Sequence, residues 1–154
     1  MSLGNAFPAS FAQAQIARQL KAGMVIKLKT EMDDGQTLEK RFVVLDVSDD
    51  TLTCVMNSKI SNFIASKPAK LKCQVMIDVA SHDFMDHDSH IDCSRVRPYP
   101  TALVIDQLCK NPGWVLGQIT EQLRDDICAG LKASITTAVA LTNKCCSSLE
   151  QADL

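Results

Sequence analysis

The strongest constraint on folding lies between Gly23 and Ser58, where three apolar-rich runs are separated by two very short polar turns. "MVIKLKTEM" (24–32) alternates Val25, Lys27 and Lys29 against Ile26, Leu28 and Thr30, the period of a half-buried strand. Asp33-Asp34-Gly35 is a strong hairpin signal, because the tight turns that match strand twist need a residue that tolerates positive φ. "EKRFVVLDVS" (39–48) is the return strand and carries a continuous apolar run, Phe42 to Leu45. Asp49-Asp50 makes a second turn, and "TLTCVMNS" (51–58) reads as a third strand. A chain patterned this way folds first as an antiparallel meander.

Downstream, "KISNFIASKPAKLK" (59–72) is irregular or briefly helical and is broken by Pro68. "LKCQVMIDV" is a fourth strand. "SHIDCSRVR" (89–97) alternates His90, Asp92 and Ser94 against Ile91, Cys93 and Arg95, predicting a fifth. A short helix over 102–110 follows Pro100 and precedes Gly113, and "GWVLGQIT" is a sixth, short strand. From Thr120, an N-cap, one long helix is expected to Lys144, with Leu123, Ile127, Leu131, Ile135 and Val139 repeating at i+4. Upstream, "PASFAQAQIARQLKAG" predicts a helix capped by Ser10 and ended by Gly23. Five or six short strands with helices at the ends, and no strand–helix alternation, imply an α+β, mainly β chain built on a strongly bent sheet or barrel.

The 154 residues suit one domain. A net charge of -2 argues against a strongly electrostatic nucleic-acid binder, yet leaves room for local basic patches at Lys67, Lys70 and Lys72 and at Arg95 and Arg97. The seven cysteines are odd in number and include no C-x-x-C pair, so neither a zinc ribbon nor a thioredoxin-type motif is present. Most sit in apolar runs, as small buried hydrophobes do in a reducing, cytoplasmic setting. The first 22 residues lack the apolar stretch of a signal peptide, and no run is long enough to span a membrane.

All three histidines, His82, His87 and His90, fall within "SHDFMDHDSHIDCSRVR" (81–97), alongside Asp83, Asp86, Asp88 and Asp92. Imidazoles and carboxylates are competent ligands for zinc, iron or manganese, but the spacing matches no dedicated metal motif. On a strand, a three-residue step sends His87 and His90 to opposite faces. The bland alternative is an acidic, solvated loop over 81–88 leading into a strand. His90 has an imidazole suited to proton transfer near neutral pH.

The order of "GMVIKL", a charged hairpin, "KRFVVL", a strand ending in "NSK" and a later "DSHIDCSRV" resembles the MazF/PemK/Kid superfamily of toxin proteins, over about Gly23 to Ser134. The resemblance implies an SH3-like β-barrel over 23–143 with a closing C-terminal helix, an N-terminal helical extension over 1–22, and a frayed tail over 144–154. It also implies a toxin-type endoribonuclease that cuts single-stranded RNA by 2'-hydroxyl attack without metal or other cofactor. The matching positions are Arg41 in the basic run, Ser58 at the end of the third strand, and Arg95 or Arg97 on the later strand. His90 or Asp92 would have to act as base. Lys59, Lys67 and Lys70 would line the nucleic acid. A homodimer, to which Leu3, Phe7 and Phe11 could contribute, and an antitoxin peptide are the partners implied. The sequence departs from the family pattern at Met24, Phe42 and Asn57, where Asp, Pro and Thr are usual.

Two other classes stay open. One is a non-catalytic barrel that binds protein or nucleic acid as a regulator. The other is a metal-dependent hydrolase built on His82, His87 and His90.

Overall fold

A computed structural model describes residues 3–154 and gives the order α1 (Leu3–Gln19), β1 (Met24–Glu31), β2 (Thr37–Val47), β3 (Asp50–Asn57), α2 (Asn62–Ala65), α3 (Pro68–Leu71), β4 (Gln74–Ile77), β5 (Ser89–Asp92), β6 (Arg97–Pro100), α4 (Thr101–Lys110), β7 (Val115–Gln118), α5 (Glu121–Ala133) and α6 (Val139–Glu150). The α+β reading and the initial meander both hold. The sheet is antiparallel and seven-stranded, in the order β4-β5-β3-β2-β1-β7, with β6 also paired to β3. It is open rather than closed into a barrel, with β4 and β7 at its ends.

The first hairpin turns at the expected place. Gly35 has φ +83°, its N–H donates to the Met32 carbonyl at 2.9 Å, and the Asp34 carboxylate accepts from Gln36 N–H at 3.0 Å. Any side chain at that φ would be strained, so Gly35 sets the turn and leaves Asp33 at its tip.

Consecutive side chains on a strand leave opposite faces, and β2 shows both destinations. Phe42 and Val44 join one core cluster with Ile16 and Leu20 of α1, Ile26 and Leu28 of β1, and Val104 and Leu108 of α4. Val43 and Leu45 join the other, with Ile91, Ile127, Leu131, Cys145 and Leu149. A continuous apolar run is what a strand covered on both faces requires.

Three expectations are corrected. The fifth strand is two strands, because the pairing with β3 slips: Met56 faces Ile91, whereas Thr53 faces Arg97, so residues 93–96 loop out between them. The Asp92 carboxylate holds that turn, accepting from Ser94 N–H at 3.0 Å and Ser94 Oγ at 2.5 Å.

The long C-terminal helix is also two. Ser134, Thr136 and Thr137 turn their hydroxyls to the Ser94 carbonyl at 3.1, 2.9 and 3.5 Å, and side-chain bonding of this kind competes with helix propagation. Ile135 and Val139, read as part of the buried stripe, are consequently exposed.

The tail over 144–154 is not frayed through its first seven residues. They continue α6, which buries Cys145, Cys146 and Leu149 against the sheet. The Ser148 hydroxyl bonds the Asp46 carboxylate, and Lys144 Nζ lies 3.6 Å from Asp46 Oδ2.

The N-terminal helix runs through Ser10, the expected cap, and begins earlier. The side chains of Leu3 and Phe7 lie outside the described residues, and that of Phe11 is 60% exposed. No helix among the described residues is long and apolar enough to cross a membrane.

Candidate functional site

Helices α1 and α4 cover only part of their face of the sheet. Beyond them, the strands carry polar side chains on that same face. Lys40 shares the parity of Phe42 and Val44 on β2. The Phe42–Val55 register, carried two residues outward, sets Lys40 opposite Asn57, and Lys40 Nζ donates to Asn57 Oδ1 at 2.9 Å. Asn57 in turn pairs with His90 on β5, and His90 with Met76 on β4. Paired residues project together, so Lys40, Asn57, His90 and Met76 form one row across four strands.

Arg97 comes to this face from β6. It pairs with Thr53, which has the parity of Val55 and Asn57. Its side chain is 13% exposed, and its Nε is buried without an acceptor among the described residues. Arg97 Nη2 lies 3.4 Å from Asp33 Oδ2, and Arg95 Nη1 donates to both oxygens of Asp33 at 2.9 and 2.8 Å. The hairpin tip therefore reaches residues more than sixty positions away.

The charges register one another. Partial burial, and after it the Arg97 charge, pull the Lys40 ammonium below its ordinary pKa. The Arg95 hydrogen bond, then the Arg97 and Arg95 charges, hold the Asp33 carboxyl below the usual carboxylate range. Two guanidiniums thus meet one carboxylate, and Lys40 lies within the field of Arg97, a local excess of positive charge suited to an oxyanion.

The residues singled out in the sequence divide accordingly. Arg97, His90 and Asp92 share the site face, and Arg95 borders it from the turn between β5 and β6. Asp92 is committed to the turn, to Ser94 and to Gln74 Nε2 at 3.0 Å. The His90 imidazole makes no hydrogen bond among the described residues, and the residue is partly exposed.

Arg41 departs from the expected set. It leaves the opposite face and donates to Asp86 at 2.9 Å, with Met85 Sδ at 3.8 Å. Ser58 lies one residue past β3, exposed, as is Lys59. Lys67 and Lys70 lie at α3, with Nζ 5.7 and 5.4 Å from the Phe63 ring centroid.

The histidines do not converge. His82 is buried, with Nδ1 3.0 Å from the Asp78 carbonyl, and Nε2 accepts from Thr120 N–H at 3.2 Å. His87 Nδ1 lies 3.0 Å from the Asp88 carbonyl and 3.2 Å from Ser89 Oγ. Among the described residues no group of three His, Cys, Asp or Glu side chains is placed to hold a metal ion. The 81–88 segment has the expected acidic surface, but His82 and Met85 anchor it in the protein.

Sequence reasoning missed Lys40, Asn57 and Asp33 as site residues. The signal for the first was available in parity: once Phe42 is assigned to a face, Lys40 follows it and Arg41 cannot. Nothing local marks Asp33, because its partners come from a distant turn.

No protein-family model matches this chain. No curated protein matches it either. Among solved structures, the Mycobacterium tuberculosis toxin MazF-mt6 is similar with a TM-score of 0.46 and 10% sequence identity, over 70% of this chain and 94% of that one.

Proposed function

We propose that this chain binds single-stranded RNA on the Lys40–Asn57–His90–Arg97 face and cleaves it without metal. The observation that carries the reading is the cross-strand row itself. It places an ammonium and an imidazole two strands apart, about 10 Å between backbones from the usual strand spacing, with an arginine beside them. That span accommodates a phosphodiester with its two reacting oxygens on opposite sides. The sequence resemblance described above points to the same reaction class.

In this reading His90 takes the proton of the 2'-hydroxyl as its oxygen attacks phosphorus. The bond from phosphorus to the 5'-oxygen breaks, and Lys40 gives that oxygen a proton. The lowered Lys40 pKa makes it a better acid near neutral pH than an ordinary lysine. Arg97 offsets the charge that builds on the phosphate oxygens, and Asn57 orients the Lys40 ammonium. The products are a 2',3'-cyclic phosphate and a 5'-hydroxyl. Arg41 has no place in the reaction.

The test is incubation of the purified protein with unstructured RNA in excess chelator, with product ends identified. Cyclic-phosphate and 5'-hydroxyl ends that disappear in His90→Ala and Arg97→Ala are expected. Absence of cleavage at every protein concentration would sink the catalytic reading and leave the non-catalytic nucleic-acid binder.

A further inference from the structure

Arg95 and Arg97 already hold an anion, and it is the protein's own. Asp33 is presented by a hairpin tip whose shape Gly35 and the Asp34 turn bond set locally, without help from the arginines. Both its oxygens accept from Arg95 Nη1 and one lies by Arg97 Nη2, so charge-assisted bonds that a phosphate could take are occupied by a carboxylate.

A purely structural ion pair explains this contact poorly. Asp33 is 66% and Arg95 58% exposed, and bridges so exposed add little to stability. Arg97 is different: mostly buried, it has an Nε donor that no group among the described residues accepts. Burying a guanidinium and leaving one donor unused is costly unless something else comes to it. Asp33 also cannot neutralise what it faces. Arg95 and Arg97 carry two positive charges against its one negative charge.

We infer that Asp33 is a built-in competitor for this anion site: the hairpin tip occupies Arg95 and Arg97 until a ligand carrying two adjacent phosphate charges displaces it. The inference rests on the phosphate-binding half of the proposed function, not on cleavage. It names a ligand class, a run of successive phosphodiesters or a pyrophosphate, in preference to a single monoanion. It also assigns a regulatory role to the β1–β2 hairpin, since a ligand binds at the expense of the closed population.

The experiment measures pyrophosphate binding by calorimetry, and binding of a short fluorescent single-stranded DNA by anisotropy, for the wild type, Asp33→Asn and Asp33→Glu. DNA lacks the attacking hydroxyl, so binding is read apart from cleavage. Asp33→Asn should bind both ligands about tenfold more tightly. Its salt slope for DNA should steepen by about one unit, because one more ion is then released. Asp33→Glu should restore wild-type affinity, and the urea midpoints of all three should agree. Unchanged or weaker binding by Asp33→Asn, or no binding by either protein, overturns the competitor. Tighter binding together with a failure to cut RNA upholds it and removes only the catalytic step.

Discussion

Lys40 and Arg41 are neighbours on β2 and point to opposite sides of the sheet. Lys40 reaches Asn57 at 2.9 Å on the open site face, and Arg41 reaches Asp86 at 2.9 Å on the other. This relationship separates two assignments that a basic dipeptide alone would merge.

It predicts an asymmetric response to substitution. Arg97→Ala and Lys40→Ala should each lower RNA cleavage by about a hundredfold, the scale for removing one group that stabilises developing charge. Arg41→Ala should change the rate by less than about threefold, since a partly exposed ion pair contributes little. Single-turnover rates at saturating RNA would check this. Equal losses in all three would contradict the face assignment.

His82 is a structural residue. Its Nε2 accepts the backbone N–H of Thr120, the residue whose hydroxyl caps α5 through Leu123 N–H at 3.2 Å. Its Nδ1 therefore carries the proton and donates to the Asp78 carbonyl. His82→Ala leaves that N–H without its acceptor and should cost about 1–3 kcal/mol of stability. The urea midpoint reads this directly, and added metal should not restore it.

Helix α6 belongs to the core. Leu149 is fully buried beside Leu131 and Ile127 in the same cluster, so Leu149→Ala should destabilise by about 2–5 kcal/mol through lost burial and the cavity left behind. Ending the chain after Asn143 should be worse still, leaving Asp46 without Ser148 and Lys144. Chemical denaturation of both variants tests it. A tail that merely frays would leave the midpoint unchanged.

The thiols should be quiet. Of the seven cysteines only Cys109 is part-exposed, and the others are buried. Burial is the first cause raising Cys128 and Cys145 to about 12 from an ordinary 9.0. A hydrogen bond to Cys93 raises Cys54 as well. Near neutral pH a thiol reagent should label Cys109 rapidly and the rest only as the protein unfolds. The sign of the alkaline effect follows. The folded state keeps protons that the unfolded state loses, so stability is full below pH 9 and falls as pH rises from there toward about 12. Urea midpoints across that window check the direction.

Strand identity was legible in the sequence wherever one run of residues carried its own period. β1, β2, β3 and the Gly35 turn are all read correctly from alternation and a positive-φ requirement. The misread elements share a cause. The break in "SHIDCSRVR" comes from a slip in pairing with β3, and the break after Ala133 comes from hydroxyls reaching the distant Ser94 carbonyl. Cys145 and Leu149 look like an unremarkable tail until the sheet they cover is in place.

The site divides in the same way. His90 and Asp92 could be picked out because they cluster along the chain, and Arg95 and Arg97 through the family resemblance. Their roles could not, because a role is set by what lies across the sheet. The sequence by itself determined the meander, the position of Asp33 at a hairpin tip, and the opposite faces of Lys40 and Arg41, since each follows from local backbone geometry. Only the tertiary structure decided that Lys40, Asn57 and His90 form one row and that Asp33 meets Arg95 and Arg97. Those contacts are fixed by register and sheet twist, which sum over many residues and are written in none of them singly.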